Sequence, residues 1–591
     1  MSNSNLSKLL SLVSVSRRNQ GGLLVLLTAL GAVFEVVSLA SVFPILAYIL
    51  DPVSAMNGEV MKFIKPLTSY IPLSESYSIG ILFAVIIMIS SLYRIVLVWL
   101  QVSWGNAVGH DFSILVFSRL LEQSYEQHIV RNTSEVVAGI TMKINQLVGS
   151  YINPLVAICS SFVLLIAIVS ALVITAGLAV VAVVVLIGLV YTGITLSIRS
   201  KLAYNSQIIS ERSNSIVQEV QESFQGIREV ILSDTGETRR NTFTAMDREF
   251  RLAQSSSAVL SQAPRYVVES LLVISLVGMA LMQAGHLTLS GDLLPSLGVV
   301  VLGVQRIMPL AQVIYANVAT MRGALCSVGD VIDMASVTND RDTPIEVACK
   351  SIDFEKSLVL NQVSYSYPGT QTNQLKNITL SIKKGDWVGI YGKTGSGKST
   401  LLDLICGLLS PTSGSILIDG VELGARNRSD WRDKLAVVSQ SVYFSDSTIL
   451  DSIVLAGESP DFERLNTCLK VAQLNSTIEG LEQGIHTSVG EAGVQFSGGQ
   501  LQRLSIARAL YREAEILIFD EATSALDQHT EKVLMGALRE LNSELTVILV
   551  AHRLNTLEAC NYLIQMESGE ILSSSTYEQL ILAEPADRRE S

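Results

Sequence analysis

Long apolar runs with almost no charged residues dominate the chain up to about residue 330. A helix that crosses a membrane needs about 20 predominantly apolar residues. Six stretches meet this requirement, at 21–50, 76–100, 270–291, 293–318 and, for two spans joined near Ala176-Gly177, between 143 and 199. The pattern therefore predicts six membrane-spanning helices, which place both chain termini on the same side of the membrane.

Two polar segments, at about 101–146 and 199–265, separate these runs and keep a helical period. We expect spans two to five to continue through them as helices outside the membrane, because connections of this length usually have a function. Their turns, near 125–132 and 224–233, are expected to be short helices that rest on the soluble part of the protein. Residues 6–15 fit either an amphipathic helix on the membrane surface or a disordered tail.

Basic residues predict the orientation in the membrane. Lys8, Arg17 and Arg18 precede the first span, and the segment 199–265 is rich in arginine. Because cytosolic segments carry an excess of Lys and Arg, both termini are expected in the cytosol. The first apolar run is too long for a cleaved signal peptide, so we expect a multi-pass protein of the cytoplasmic (inner) membrane.

The composition of the C-terminal part indicates a second, soluble domain. The 591 residues are 49% hydrophobic with a mean hydropathy of +0.42, yet the C-terminal part reads as a soluble α/β domain. We predict a transmembrane domain at 1–335, a polar linker at 336–353 and a soluble domain at 354–591.

The formal net charge of −12 argues against a nucleic-acid partner. The six cysteines lack the spacing of a metal site or a disulfide framework.

A phosphate-binding P-loop follows the apolar strand 387–391. Its glycines let the backbone curl around phosphate oxygens, Lys398 supplies a positive charge and the Ser399 hydroxyl coordinates Mg²⁺. The predicted phosphate-binding residues are Gly392, Lys393, Thr394, Gly395, Ser396, Gly397, Lys398, Ser399 and Thr400.

Two further motifs lie downstream. Asp520 ends an apolar strand, so its carboxylate is expected near the Mg²⁺, and Glu521 is placed to act as general base on a water molecule. The run Phe-Ser-Gly-Gly-Gln at 496–500 opens a helix, and a helix N-terminus binds anions. A second phosphate-binding helix end makes sense if one ATP is held between two such modules.

These motifs together resemble the ATP-binding cassette (ABC) family, from about residue 354 to the C-terminus. The resemblance implies an α-helical six-span transmembrane domain fused to an α/β P-loop nucleotide-binding domain, as in a type IV exporter half-transporter. It implies ATP and Mg²⁺ as cofactors and two coupling helices at the cytosolic turns. A homodimer is expected, because Lys398 and Ser497 would meet one ATP from opposite chains.

The same resemblance implies roles for individual residues. The expected catalytic residues are Glu521, His552 and Gln440. Mg²⁺ is expected on Ser399, Gln440 and Asp520. Beyond the P-loop, the expected ATP contacts are Tyr367, Ser497, Gly498, Gly499, Gln500 and Asp527.

Charged residues also interrupt the apolar half, namely Glu35, Arg94, Arg265 and Arg306. Charges at membrane depth are costly and should face protein or a wet cavity. The membrane half resembles PglK-type flippases for lipid-linked oligosaccharides, which implies a polyprenyl-pyrophosphate oligosaccharide as cargo. These four residues are then substrate-site candidates, with the arginines facing the pyrophosphate. The alternative is internal pairing of the arginines with Glu35 or Glu269.

Other kinds of protein remain to be weighed. A general lipid, multidrug or peptide exporter would carry the same motifs. A chromosome-maintenance ATPase shares the signature run, but the six predicted spans and the lack of a long coiled coil argue against it. An importer would normally keep its ATPase on a separate chain.

Overall fold

The computed structural model describes residues 3–40, 75–176, 179–284, 293–336, 352–370, 372–454, 457–490, 495–523, 526–541, 544–551 and 553–583. The chain divides into two compact units, Met1–Glu122 with Arg131–Val337, and Gln123–Val130 with Thr338–Ser591. The end of the first predicted span, Gly177 of the predicted turn and most of the predicted linker lie outside the described residues.

Helices account for the described structure as far as residue 336. They are α1 (Asn3–Leu12), α2 (Val15–Ala40), α3 (Glu75–Leu121), α4 (Tyr125–Val130), α5 (Thr133–Ala138), α6 (Ile144–Leu147), α7 (Asn153–Ala176), α8 (Ala179–Gln225), α9 (Ile227–Leu232), α10 (Gly236–Gln262), α11 (Pro264–Ala284), α12 (Leu293–Gly323) and α13 (Leu325–Ser336). Two π-helical segments, Gly139–Lys143 and Val148–Ile152, join α5, α6 and α7 into one continuous helical path.

Four helical stretches in the described residues are long and apolar enough to cross a membrane: Val15–Ser38, Tyr77–Leu121, Thr133–Val173 and Val184–Gln225. They coincide with the first four predicted spans. The helices α11 and α12 occupy the positions of spans five and six, whose crossing stays a prediction. At about 1.5 Å per residue, the 47 residues of α3 extend far beyond a hydrocarbon layer of about 30 Å, as expected.

Hydrogen bonds donated by side chains hold α2, α3 and α7 together. The Gln101 amide donates to Ser160 Oγ at 2.6 Å and lies 3.4 Å from Thr28 Oγ1. The Tyr93 hydroxyl donates to the Leu27 carbonyl at 2.7 Å. Polar side chains bond between helices in this way where few water molecules compete.

A second polar network joins α8, α10 and α12 around a helix break. Pro264 has no N–H, so the carbonyl of Leu260 loses its usual helical donor. The Tyr315 hydroxyl donates to this carbonyl at 2.8 Å, and the Tyr191 hydroxyl donates to Gln312 Oε1 at 2.8 Å. The network therefore satisfies the backbone group that the proline leaves unpaired.

The second unit contains two β-sheets. Its strands are β1 (Ser357–Tyr365), β2 (Leu375–Lys383), β3 (Trp387–Gly392), β4 (Ser413–Ile418), β5 (Val421–Glu422), β6 (Leu435–Val438), β7 (Ile516–Asp520), β8 (Thr546–Val550), β9 (Tyr562–Glu567) and β10 (Glu570–Ser575). One sheet has the strand order β2-β1-β4-β5 and is antiparallel, and the other has the order β10-β9-β3-β8-β7-β6. In the second sheet, β9, β3, β8, β7 and β6 run parallel.

Helices cover this parallel sheet. They are α14 (Lys398–Ile405), α15 (Arg428–Asp433), α16 (Ile449–Ile453), α17 (Phe462–Val471), α18 (Asn475–Glu479), α19 (Gly498–Tyr511), α20 (Gln528–Leu541) and α21 (Tyr577–Ala583). All five residues of β8 are buried, as is typical of a parallel strand that is covered on both faces. The predicted combination of a helical membrane domain and an α/β domain is confirmed.

Close packing in the first unit depends on two glycines of α3. A Cβ atom on Gly105 would clash with the Asn153 side chain, and one on Gly109 would clash with Val148 Cγ2. Val148 begins the second π-helical segment and Asn153 begins α7. Small residues four apart on one helix face let a neighbouring backbone approach closely.

We expect Gly109→Val to destabilise the protein, because overpacking a tight contact costs about 1–3 kcal/mol. The measurement is the thermal unfolding midpoint of the full chain in lipid nanodiscs. Gly193→Ala in α8 is the control, because no atom lies within 4 Å of its added Cβ. An unchanged midpoint for Gly109→Val would show that the α3 contact tolerates a side chain.

Candidate functional site

The candidate ATP site lies at one edge of the parallel sheet. The P-loop follows β3, and Asp520 is the last residue of the parallel strand β7. Both strands pair with β8, so their carboxyl ends meet at the same edge. Ligands of open parallel sheets bind at this edge. The topology therefore brings the P-loop and the Asp520-Glu521 pair together, as the motifs require.

The P-loop presents backbone donors at the start of α14. Gly397 precedes this helix with φ of +101°, and a Cβ atom there would lie 2.7 Å from Leu375 Cδ2. No side chain caps the helix, so its first N–H groups are available to an anion. The Ser396 hydroxyl is buried and has no hydrogen-bond partner among the described residues. This orphaned donor fits a phosphate oxygen.

The Lys398 side chain is hydrogen-bonded to the backbone of the P-loop. This side chain is buried, and Nζ donates to the carbonyl oxygens of Gly392 at 2.9 Å and Lys393 at 3.2 Å. A buried ammonium needs such partners, because an unpaired charge is costly away from water. The lysine head is thus already beside the loop that would hold the phosphates.

Glu521 is oriented by its neighbours. Gln440 Nε2 donates to Glu521 Oε2 at 2.8 Å, and the Glu521 N–H donates to the Val550 carbonyl at 3.0 Å. Glu521 has φ of +51°, a left-handed conformation that is strained for a residue with a side chain. Strain of this kind is often retained at functional sites. The structure therefore brings the predicted catalytic pair Gln440 and Glu521 together.

Negative charge accumulates around this edge. Burial, followed by the nearby Glu521 carboxylate, raises the pKa of Asp520, whereas Lys398 lowers it. Burial and the charge of Asp520 raise the pKa of Asp403, on α14, to about 6. Like charges that are close together disfavour the ionised form. A bound cation would relieve this repulsion.

The predicted magnesium ligands fit the ion by their chemistry. Ser399, Gln440 and Asp520 offer hydroxyl, amide and carboxylate oxygens, the hard donors that Mg²⁺ prefers. With Nε2 of Gln440 directed to Glu521, its Oε1 remains an acceptor. Magnesium with ATP needs only one or two protein carboxylates, since phosphates and water supply the other ligands.

The predicted adenine contact, Tyr367, packs against the P-loop helix. Its hydroxyl lies 3.1 Å from Thr400 Oγ1, and its ring meets Tyr365 edge-on with centroids 5.1 Å apart. The side chain is half-buried. The structure thus places Tyr367 beside the phosphate loop, and its stacking on adenine stays a prediction.

The signature residues of 496–500 cap their own helix. Ser497 is exposed and precedes α19, where its Oγ accepts from the Gln500 N–H at 3.4 Å. The Gln500 side chain accepts from the Ser497 N–H at 2.8 Å, which completes a capping box. The described contacts of Ser497 do not include the P-loop of the same chain, so the structure does not bring these two elements together.

Two other predicted residues lie nearby in the sequence. Asp527 accepts from the Thr530 N–H at 2.9 Å and from the Thr530 hydroxyl at 2.7 Å, and these bonds lower its pKa. It therefore begins α20 in the manner of an N-cap. His552 lies outside the described residues.

The first of the two predicted cytosolic turns forms the expected short helix, α4, and belongs to the second unit. Glu126 of α4 accepts a hydrogen bond from the Ser410 N–H at 3.0 Å. Burial, then the charge of Asp403, raises the pKa of Tyr125. Sequence reasoning did not find Asp403 or Ser410, because neither belongs to a motif. The second turn forms α9 in the first unit, and its coupling role stays a prediction.

The charged residues of the apolar helices form one compact cluster and one separate pair. Arg94 Nη2 lies 2.8 Å from Glu35 Oε2, and Arg306 Nη1 lies 3.0 Å from Glu35 Oε1. Arg265 pairs instead with Glu269, one turn along α11, at 3.8 Å. The structure therefore has the internal pairing that the sequence analysis gave as the alternative, in which the arginines pair with Glu35 or Glu269.

Comparison with known proteins gives the family. Residues 375–524 match the family model described as ABC transporter. An ATP-dependent lipid A-core flippase from Photobacterium profundum is 30% identical over 66% of this chain and 68% of its own length. The chain belongs to the ABC transporter family.

Further similarities cover more of this transporter. An ATP-dependent lipid A-core flippase from Paraburkholderia xenovorans is 28% identical over 80% of this chain and 79% of its own length. A solved bacterial Atm1-family ABC exporter with ATP bound has a TM-score of 0.80 at 21% identity, covering 96% of this chain and 97% of its own. The protein is therefore an ABC exporter half-transporter that binds ATP and couples its hydrolysis to transport.

The raised pKa of Asp403 predicts a pH-dependent stability. The folded protein binds this proton more tightly than the unfolded chain, so the group makes folding less favourable as the pH rises from about 4 through about 6. Asp403→Asn should therefore stabilise the protein at pH 8 by about 1–2 kcal/mol, allowing for partial exposure, and less at about pH 5. Thermal unfolding of the full chain measures both gains.

Asp419→Asn is the matched control, for which the expected change in stability at pH 8 has the opposite sign. Burial acts to raise the pKa of Asp419, but the N–H groups of Glu355, Ser357 and Lys356 outweigh it and lower the pKa. This variant should lose stability at pH 8. Equal gains for Asp403→Asn at both pH values would contradict the raised pKa.

Proposed function

We propose that this ABC exporter flips a phosphate-bearing lipid-linked glycan, a polyprenyl-pyrophosphate oligosaccharide, across the cytoplasmic membrane as a homodimer with cytosolic termini. The observation that carries the proposal is the cluster of two arginines on one buried glutamate. The curated relatives, which are named as lipid A-core flippases, support a glycolipid as the class of cargo.

The geometry of the described residues supports the proposed roles at the ATP site, and the role of His552 rests on the family resemblance alone. Lys398 exchanges its P-loop carbonyls for phosphate oxygens, and the Ser396 hydroxyl gains an acceptor there. Ser399, Gln440 and Asp520 would hold Mg²⁺, which supplies charge neutralisation at the phosphates when bound. Glu521, oriented by Gln440, accepts the proton of the attacking water, and His552 assists at the γ-phosphate.

A homodimer would complete each ATP site. Ser497 is exposed at the N-terminus of α19, which is 14 residues long, and the N–H groups of the first turn that the capping box does not use can face an anion. The P-loop of the same chain is not among its described contacts. The signature of one chain is therefore available to an ATP held by the P-loop of the second copy.

Mixing two inactive variants tests this assignment. Lys398→Ala and Ser497→Ala chains should each lose ATPase activity alone. Their mixed dimer keeps one intact site, formed by Lys398 of one chain and Ser497 of the other. Random mixing makes about half of the dimers mixed, so about a quarter of the wild-type sites should recover. The measurement is ATP turnover after co-expression or subunit exchange.

A second mixture is the control. Lys398→Ala and Ser399→Ala both damage the P-loop face, so none of their mixed dimers contains an intact site. Recovery in this control, or no recovery in the first mixture, would refute the shared site.

The cargo proposal rests on the charge of the cluster. Two guanidinium groups share the Glu35 carboxylate, so the cluster keeps one net positive charge. Glu35 is 6% exposed, whereas Arg94 and Arg306 are 51% and 47% exposed. Ile307, next to Arg306, is fully buried and fixes that turn of α12. An acidic head group that leaves water needs such donors, because an unpaired charge at membrane depth is prohibitive.

A lipid A-core glycolipid is the second candidate cargo, because the relatives are named as lipid A-core flippases. A multidrug or peptide exporter of uncharged cargo would need no positive charge in the membrane, whereas a general lipid exporter would also meet the phosphate groups of phospholipids. The two glycolipid candidates are separated by transport measurements, and a dye and a zwitterionic phospholipid, which has no net charge, serve as the comparison.

Arg306→Ala should lower translocation of the phosphate-bearing glycolipid by about ten- to a hundredfold, because a lost charged hydrogen bond is worth about 1.5–3 kcal/mol. Proteoliposomes that contain a polyprenyl-pyrophosphate oligosaccharide, lipid A-core, a phospholipid or a dye give the measurement, normalised to ATP hydrolysed. Arg306→Lys is the control that keeps the charge and most of the transport.

Two results would go against the cargo proposal. Transport of the dye or the phospholipid alone by the wild type would indicate a generic exporter. Unchanged glycolipid transport by a folded Arg306→Ala variant would remove Arg306 from the cargo path.

A further inference from the structure

The Glu35 cluster connects two groups of helices. Glu35 and Arg94 stand on α2 and α3, which the Tyr93 hydroxyl already joins through the Leu27 carbonyl. Arg306 stands on α12, whose Gln312 and Tyr315 bond to α8 and α10. The 3.0 Å contact between Arg306 and Glu35 thus ties α12 to α2 across the two groups.

Among the described residues, the N–H donors of Arg94 and Arg306 are only partly used. A guanidinium has five N–H donors, and the described ion contacts use one nitrogen of each arginine. Both arginines are about half exposed, while the carboxylate that they share is almost fully buried. An incoming anion therefore reaches the arginines without first removing Glu35.

We propose that Glu35 is a displaceable counter-ion, which holds Arg306 in the cargo-free transporter and gives it up to the phosphate group of the cargo. This inference rests on the proposed function. A phosphate group offers several acceptor oxygens to planar guanidinium groups and repels the carboxylate. Arg306 then exchanges Glu35 for the phosphate, Glu35 stays with Arg94, and the tie between α12 and α2 opens.

The exchange would link cargo recognition to helix movement. In the cargo-free protein the ion pair favours one arrangement of α12 against α2. Cargo removes that preference, because its differential interaction with the two arrangements shifts their populations. Glu35 then determines both the affinity for the anion and the response of the ATPase to it.

Glu35→Gln separates these two effects. The amide leaves two uncompensated guanidinium groups, so the Kd for an anionic lipid should fall by about tenfold. The variant also lacks the ion pair between Arg306 and residue 35 when no cargo is bound. The ratio of the ATPase activity with the lipid to the activity without it should therefore fall towards one. The probe is geranylgeranyl diphosphate, with geranylgeraniol as its uncharged counterpart, added to the full-length dimer in nanodiscs.

Two further variants sharpen the test. The double variant Glu35→Gln/Arg94→Gln keeps the net charge of the cluster, so it should keep a Kd near that of the wild type and still lose the ATPase response. The double variant also provides the test of the ATPase response if the single variant Glu35→Gln does not fold. Glu249→Gln is the matched control, because it breaks the 2.7 Å pair with Arg212 between α8 and α10 and should leave both readouts unchanged.

The outcomes distinguish the inference from the proposed function. A wild type that binds the diphosphate and the alcohol equally overturns both. A wild type that prefers the diphosphate, together with a Glu35→Gln variant of unchanged Kd and unchanged ATPase response, overturns only the role of Glu35. A lower Kd with a lost response supports the counter-ion.

Discussion

Backbone polar groups must be hydrogen-bonded wherever water is excluded, and this constraint determines the secondary structure of both units of the transporter. In the membrane half it leaves helices, and where Pro264 removes a donor, the Tyr315 hydroxyl replaces it. In the ATP-binding half it aligns β3, β8 and β7 in one parallel ladder. The site exists because that ladder ends at a single edge.

The sequence was most informative where chemistry is local. The P-loop, the Asp520-Glu521 pair and the long apolar runs depend on neighbouring residues, and the structure has them where they were expected. The pairing of Arg306 with Glu35 was foreseen only as an alternative, because 271 positions separate the two residues. The ion pair of the buried Lys143 with the partly exposed Asp330, at 2.6 Å, was not foreseen for the same reason.

The candidate site has a charge imbalance that a bound cation would relieve. Asp520 and Asp403 both have a raised pKa, and Lys398 is already engaged by the carbonyls of the P-loop. Folding therefore maintains an arrangement that is electrostatically unfavourable by itself. Such an arrangement is expected where a metal ion and its phosphates normally enter, because bound cations reverse the local preference for protonation.

The π-helical segments at Gly139–Lys143 and Val148–Ile152 have a consequence for the helical path from α5 to α7. Each π turn contains one residue more than an α turn, and one residue rotates the side-chain direction by about 100°. Two such insertions rotate the stripe of α5 by about 200° relative to that of α7. The sequence positions that would continue the stripe of α5 at a period of 3.6 residues therefore lie, in α7, on nearly the opposite side of the helix.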